Sequence, residues 1–299
     1  MLIAYHPIYV HPLPQNHRFP MEKYDLLRRQ LLHEGLVSLD DFFEPHLLDE
    51  EVITKNHDAN YWRKLKGLKL TDREQRVSGF VHSQQLINRE RTIMEGTRQV
   101  AENAIKNGIG FNIAGGTHHA FTNRGEGFCL LNDQVIAAKS LLENGLVNRV
   151  LIVDLDVHQG NGTAEMCKED ERIFTFSMHG SSNYPLQKEV STLDIALKDG
   201  TKDQEFLYLL ESNLDKILSE FTPDFIFYQC GVDVLESDKL GKLSLSKMGC
   251  QTRDRVVFNT ASQLQVPVVC TMGGGYSPKI SDIVDAHTNT FREGLFVLT

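Results

Sequence analysis

Short apolar runs recur along the chain, each ending in glycine or polar residues and separated from the next by stretches of helical spacing. The runs are LIAY, FNIAG, RVLIVDLD, RIFTFSM, DFIFYQC and VPVVCTM. Their near-continuous apolar character predicts strands buried on both faces, since a strand with one wet face would alternate. Between them, ERTIMEGTRQVAENAIKNG sets Ile93, Thr97, Val100, Ala104 and Ile105 at helical spacing and reaches Gly108, a residue type that ends helices. NDQVIAAKSLLENG reads as a second helix from an N-cap at Asn132 to a stop at Gly145, and DQEFLYLLESNLDKILSEF as a third. Further helices start after Pro20 and at Ser246. Strands alternating with helices give an α/β fold, with a mostly parallel central sheet and helices on both faces. No repeat, low-complexity tract or Gly/Ser linker divides the chain, so residues 1–299 are read as a single domain.

In such sheets the ligand crevice lies beyond the carboxyl ends of the strands. Polar residues collect at those ends: His118 and His119 in GTHHAF, Asp156 and His158 in DLDVHQGNG, His179 in MHG, Asp233 in CGVDVLESD, and Tyr276 in GGGYSP. Asp154, Asp156 and His158 alternate, so they share one face of the strand's continuation. Asp156 and His158 with Asp233 make a three-ligand site that leaves a position open for water or substrate. Zinc suits two carboxylates and an imidazole, although iron or manganese could compete, and two aspartates alone could simply cap backbone. The paired histidines suit proton transfer better than ligation, because adjacent side chains on an extended segment diverge. Tyr276 follows a glycine bend and could donate to a developing oxyanion, or plug the turn.

A formal charge of −9 removes the basic face that nonspecific nucleic-acid binding needs, and is compatible with a cationic substrate. The segment DDFFEPHLLDEEVITKNHDANYW could carry carboxylates to the mouth of the site for that purpose. No apolar run reaches a membrane-spanning length and the start lacks a leader pattern, so the expected location is the cytoplasm, with no membrane partner. Cys129, Cys167, Cys230, Cys250 and Cys270 are too scattered for zinc spacing and odd in number, which predicts reduced thiols.

The motifs HRFPMEKY, HDANYW, GGTHHAFTNRGEGFCLLND, VDLDVHQGNGT, CGVDVLESDKLGKLSLS and MGGGYSP together resemble the histone deacetylase superfamily over nearly the whole chain. The likeness is greatest to its class IV and bacterial branch, related to acetylpolyamine amidohydrolases. The resemblance implies the arginase-deacetylase fold and a zinc-dependent amidohydrolase acting on an acylated lysine of a peptide or protein, or on an acylated small amine such as an acetylpolyamine. It implies one Zn2+ per chain, or Fe2+, on Asp156, His158 and Asp233, with Tyr276 in the transition state. His119 would be the general base and acid, and His118 its electrostatic partner supported by Asp154. A structural K+ or Na+ would lie near Asp154, Ser177 and Met178. Gly127, Phe128 and Tyr184 would line an acyl-lysine tunnel, and Arg18 an internal product channel. Asn161 departs from the pattern, standing where many members have Asp; asparagine can orient His119 but cannot stabilise its protonated form, which predicts a lower His119 pKa.

Two rivals are a ureohydrolase resembling arginase, with two manganese ions, and a catalytically silent acyl-lysine-binding module. The first needs more bridging carboxylates than the motifs supply. The second has nothing in the sequence to favour it, since every chemical residue is present.

Overall fold

A computed structural model describes residues 1–298. Its centre is one sheet of eight strands: β1 (Leu2–Ala4), β2 (Phe42–Phe43), β3 (Ile109–Asn112), β4 (Val150–Asp154), β5 (Ile173–Gly180), β6 (Leu193–Leu197), β7 (Phe225–Gln229) and β8 (Val268–Thr271). The order is β2-β1-β3-β8-β7-β4-β5-β6, and every pairing is parallel. All carboxyl ends therefore open onto one rim of the sheet.

The helices are α1 (Lys23–His33), α2 (Glu50–Asn56), α3 (Ala59–Lys66), α4 (Asp72–Ser78), α5 (Gln84–Asn107), α6 (Asp133–Glu143), α7 (Asn161–Cys167), α8 (Asp203–Glu220), α9 (Lys247–Leu264) and α10 (Ile280–Leu298). Alternate strand residues feed two cores. Val150 and Ile152, with Phe225, Phe227 and Val269, face one side, where Val100, Ala101 and Ala104 of α5 (Gln84–Asn107) and Ala138 and Leu141 of α6 (Asp133–Glu143) cover them. Leu151, Val153, Ile226 and Tyr228 face the other, under α8 (Asp203–Glu220), α9 (Lys247–Leu264) and α10 (Ile280–Leu298). Both strand faces are dry, as continuous apolar runs require.

The predicted helices form, with shifted ends. The helix read from Glu90 starts earlier, because Ser83 caps it by accepting from the Leu86 N–H, and Leu86 and Ile87 extend its buried side. Gly108 ends it in the left-handed region at φ +78°. β2 and β6 are not legible as apolar runs, since both are edge strands and only Leu197 of their residues is buried. The segment expected at the mouth lies elsewhere: Phe42 and Phe43 form β2, and Glu50 accepts from the Trp62 indole at 3.0 Å and pairs with Lys66. All five cysteines are free and buried. No helix among the described residues is long and apolar enough to cross a membrane.

Candidate active site

The neighbouring strands β4 and β7 end side by side, which brings the loop after one against the loop after the other. Asp156, His158 and Asp233 meet there, all buried, with one potential ligand atom from each lying within 4.8 Å of the others. His158 Nδ1 is 3.1 Å from an oxygen of Asp156 and 3.1 Å from one of Asp233. Ligands about 2.0 Å from a tetrahedral zinc stand about 3.3 Å apart, so these spacings fit such an ion. The other carboxylate oxygens are already fixed: Asp156 Oδ2 accepts the Gly274 N–H at 2.8 Å, and Asp233 Oδ1 the Val157 N–H at 2.9 Å. Burial opposes charge on His158, yet its bonds to both aspartates raise its pKa to about 10. Burial, then the Asp156 charge, pushes Asp233 up to about 7. Asp156 is the opposite: against burial, the His118 charge and the His158 bond hold it well below the ordinary carboxylate range. Two crowded, dry carboxylates beside an imidazole are an environment a divalent cation neutralises.

β3 and β8 complete the rim. His118 and His119 lie in the loop after β3 with ring centres 4.1 Å apart. His118 Nδ1 is 2.7 Å from Asp154 Oδ2. Burial alone would lower the His118 pKa, but the charges of Asp154 and Asp156 raise it to about 9, making it an imidazolium at neutral pH. His119 is opposite in character: burial and then the adjacent His118 cation hold its pKa well below the ordinary histidine value. Its Nδ1 is 2.6 Å from Asn161 Oδ1, which can only accept, so the Nε2 lone pair is left for the cavity.

Tyr276 is carried by the glycine run after β8. Gly274 cannot be replaced, because a Cβ there would strike the Asp233 carboxylate. Asp238 fixes the tyrosine's backbone, accepting its N–H at 2.6 Å while also accepting from Leu240 and Gly241. Burial and then the charge of Asp233 push the phenol pKa well above the ordinary value, so it stays a donor.

Above this floor, Gly127 and Phe128 both adopt positive φ, +53° and +68°. A Cβ on Gly127 would lie 2.6 Å from the His119 ring. The unusual Phe128 conformation is secured by its N–H donating to Ser78 O at 2.8 Å, and it sets the ring against Phe19, Phe80 and Tyr276. Tyr184 stands edge-on to His119 at 5.1 Å, its hydroxyl donating to Glu126 at 2.5 Å. Phe128, Gly127 and Tyr184 thus wall a cavity of about 430 Å³ that has His119, His158 and Tyr276 at its floor.

The remaining sequence-predicted residues divide. Asp154 and Ser177 are partners in register on β4 and β5, with Met178 buried beside them; Ser177 Oγ is 3.0 Å from His179 Nδ1. Arg18, expected in an internal channel, is instead exposed at the outer end of the cavity. The buried cation on the inner side is Lys23, in α1 (Lys23–His33), whose Nζ donates to Gly273 O at 2.7 Å. Burial lowers its pKa to about 8, against the pull of Asp233, Asp156 and Asp238. Arg89, Tyr24 and Cys129 line a narrow space of about 30 Å³ behind the floor, room for about one water. Neither Lys23 nor Arg89 is legible in the sequence, since charges in amphipathic helices read as solvent-facing, and neither is Asp238, which acts through backbone.

Comparison with known proteins agrees with this geometry. The family model of the histone deacetylase domain matches residues 17–291. An uncharacterized protein of Picosynechococcus is 42% identical over 97% of this chain and 97% of its own. Histone deacetylase 2 of Arabidopsis thaliana is 29% identical over 93% of this chain and 75% of its own. The crystal structure of an HDAC homologue from Aquifex aeolicus superposes with a TM-score of 0.86 at 24% identity, covering 98% of this chain and 83% of that one, and so shares the arginase-deacetylase fold. The chain therefore belongs to the histone deacetylase family, whose members are hydrolytic deacetylases.

Proposed function

We propose that this protein is a zinc-dependent deacylase that hydrolyses the amide of an acylated lysine. The observation that carries the reading is the convergence of Asp156, His158 and Asp233 at the floor of an aromatic-walled cavity, faced by His119 and Tyr276. Zinc held by those three residues would supply Lewis acidity and a water of lowered pKa; Fe2+ is the competing metal for the same donors. Asp154, Ser177 and Met178 would border the site of a structural K+ or Na+.

His119, neutral and with Nε2 free, takes a proton from the attacking water. Tyr276 donates to the acyl oxygen as negative charge develops there. The departing amine collects its proton from the imidazolium that His119 has become, while His118, already charged through Asp154, favours the negative transition state. Phe128 and Tyr184 flank the alkyl stem of the lysine and exclude water from it. An acetylated polyamine fits this entrance less well, because no carboxylate lines the cavity to meet its further ammonium groups.

The test is hydrolysis by zinc-loaded protein of acyl-lysine peptides with graded acyl chains, beside acetylated polyamines. The peptides are expected to be cleaved, and Tyr276→Phe to lower kcat about 10²- to 10³-fold, as for loss of one oxyanion donor. Full turnover in Tyr276→Phe would remove the tyrosine from the mechanism, and cleavage confined to polyamines would overturn the substrate assignment.

A further inference from the structure

The entrance carries the opposite sign from the molecule. The chain has 31 Lys and Arg against 40 Asp and Glu, yet the charged side chains lining the outer cavity are Arg18 and Lys242. Arg18 makes no ion pair or hydrogen bond through its guanidinium among the described residues, and Lys242 Nζ donates to the Ser182 carbonyl and hydroxyl, not to a carboxylate. An adjoining recess of about 510 Å³ shares Arg18 and adds Lys239, with Glu22 as its one acid. The acids bonded to lining residues already have partners: Glu126 accepts from Tyr184 and pairs with Arg124, Asp199 accepts from Ser182, and Asp238 accepts the N–H groups of Tyr276 and Leu240.

Both cations stand on fixed backbone. His17 accepts the Phe19 N–H at 3.1 Å on one ring nitrogen and lies 2.9 Å from Gly79 O on the other, which pins the residues on either side of Arg18. The Lys242 N–H donates to Asn183 Oδ1 at 3.3 Å, and its carbonyl accepts from Gly200 at 2.7 Å. Neither position is held by an internal charge partner, so each long side chain can turn toward a bound molecule.

We propose that Arg18 and Lys242 make this mouth selective for acylated amines with negative charge beside the scissile amide: acyl-lysine flanked by carboxylates. This rests on the deacylase reading for its chemistry, but the selection acts on binding. Basic flanks would be repelled by the same two groups. The flanking charge can be a side-chain carboxylate of a peptide or the α-carboxylate of a single acylated lysine.

The probes are matched acyl-lysine peptides with Asp, Ser or Lys on both sides, and Nε-acyl-lysine with its α-carboxyl free or amidated. Dissociation constants on zinc-loaded protein and kcat/KM are measured at low and high salt. Acidic flanks are expected to bind about 3- to 10-fold more tightly than neutral ones, and basic flanks correspondingly more weakly, with the differences shrinking as salt rises. In the Arg18→Gln, Lys242→Gln double variant the acidic-to-basic ratio should fall toward one. A free-carboxylate monomer that gains as much as the acidic peptide identifies the small molecule as the sufficient unit; a gain confined to the peptide identifies its side chains. Equal affinities for all flanks at low salt overturn the proposal even if every peptide is cleaved. Charge-ordered binding without cleavage keeps it and removes the deacylase reading instead.

Discussion

At the scale of one side chain, Asn161 bears on the protonation of His119. It offers His119 an amide oxygen at 2.6 Å in a site where burial and the His118 cation already disfavour protonation. In the proposed hydrolysis His119 must be neutral to accept a proton, so its depressed pKa would carry activity below the ordinary histidine range. Asn161→Asp places a carboxylate at the same nitrogen and stabilises the imidazolium, and the acidic limb of kcat/KM should move upward by about one to three pH units. A limb that stays in place would contradict the assigned pairing. Asp156 and His158 were legible because alternation on an extended chain is a local property. Lys23 was not, because what makes it unusual is Gly273 O, met from a segment far along the chain.

Between elements, His57 does a comparable job. It follows α2 (Glu50–Asn56), and its ring spans two loops: Nδ1 is 2.9 Å from Phe121 O, while Nε2 accepts the N–H of Asn132, the cap of α6, at 3.1 Å. Only the neutral Nδ1–H tautomer satisfies both, and burial lowers its pKa to about 4. The folded value lies below the unfolded one of about 6.5, so this contribution to stability is complete above that pH and is lost as pH falls toward about 4. In urea unfolding between pH 6 and 5, His57→Gln should lose up to about 1.4 kcal/mol per pH unit from the slope, one proton's share. An identical slope would mean that His57 is protonated in the folded protein. The His57 motif is readable in HDANYW, but its two partners, 64 and 75 residues away, are not.

For the molecule as a whole, the order of the parallel sheet forces the carboxylates of Asp156 and Asp233 together beside His158, the proposed ligand set. Binding a divalent ion to the native state alone stabilises it by about 2.7 kcal/mol at a hundred times its Kd. Zinc is therefore expected to raise Tm by several degrees in scanning calorimetry, with a chelator reversing the rise and Asp233→Ala abolishing it. An unchanged Tm on zinc addition would deny the three residues their role as ligands. The overall charge gave no warning of the basic entrance, because a sum over the chain says nothing of which loops meet at one cavity.

The amino-acid order by itself determined the alternation of buried strands and helices, and with it a parallel sheet whose carboxyl ends carry Asp156, His158, Asp233, His119 and Tyr276. Those features follow from spacing within short segments, where strand geometry and apolar burial act directly. Tertiary structure alone decided that Arg18 faces outward while Lys23 lies buried beneath the site, and that Asp238 holds the backbone of Tyr276. That the segment 40–62 lines none of the cavity was likewise decided only in three dimensions. Each depends on contacts between residues distant in sequence, whose strength is fixed by burial and strand order rather than by neighbouring residue types.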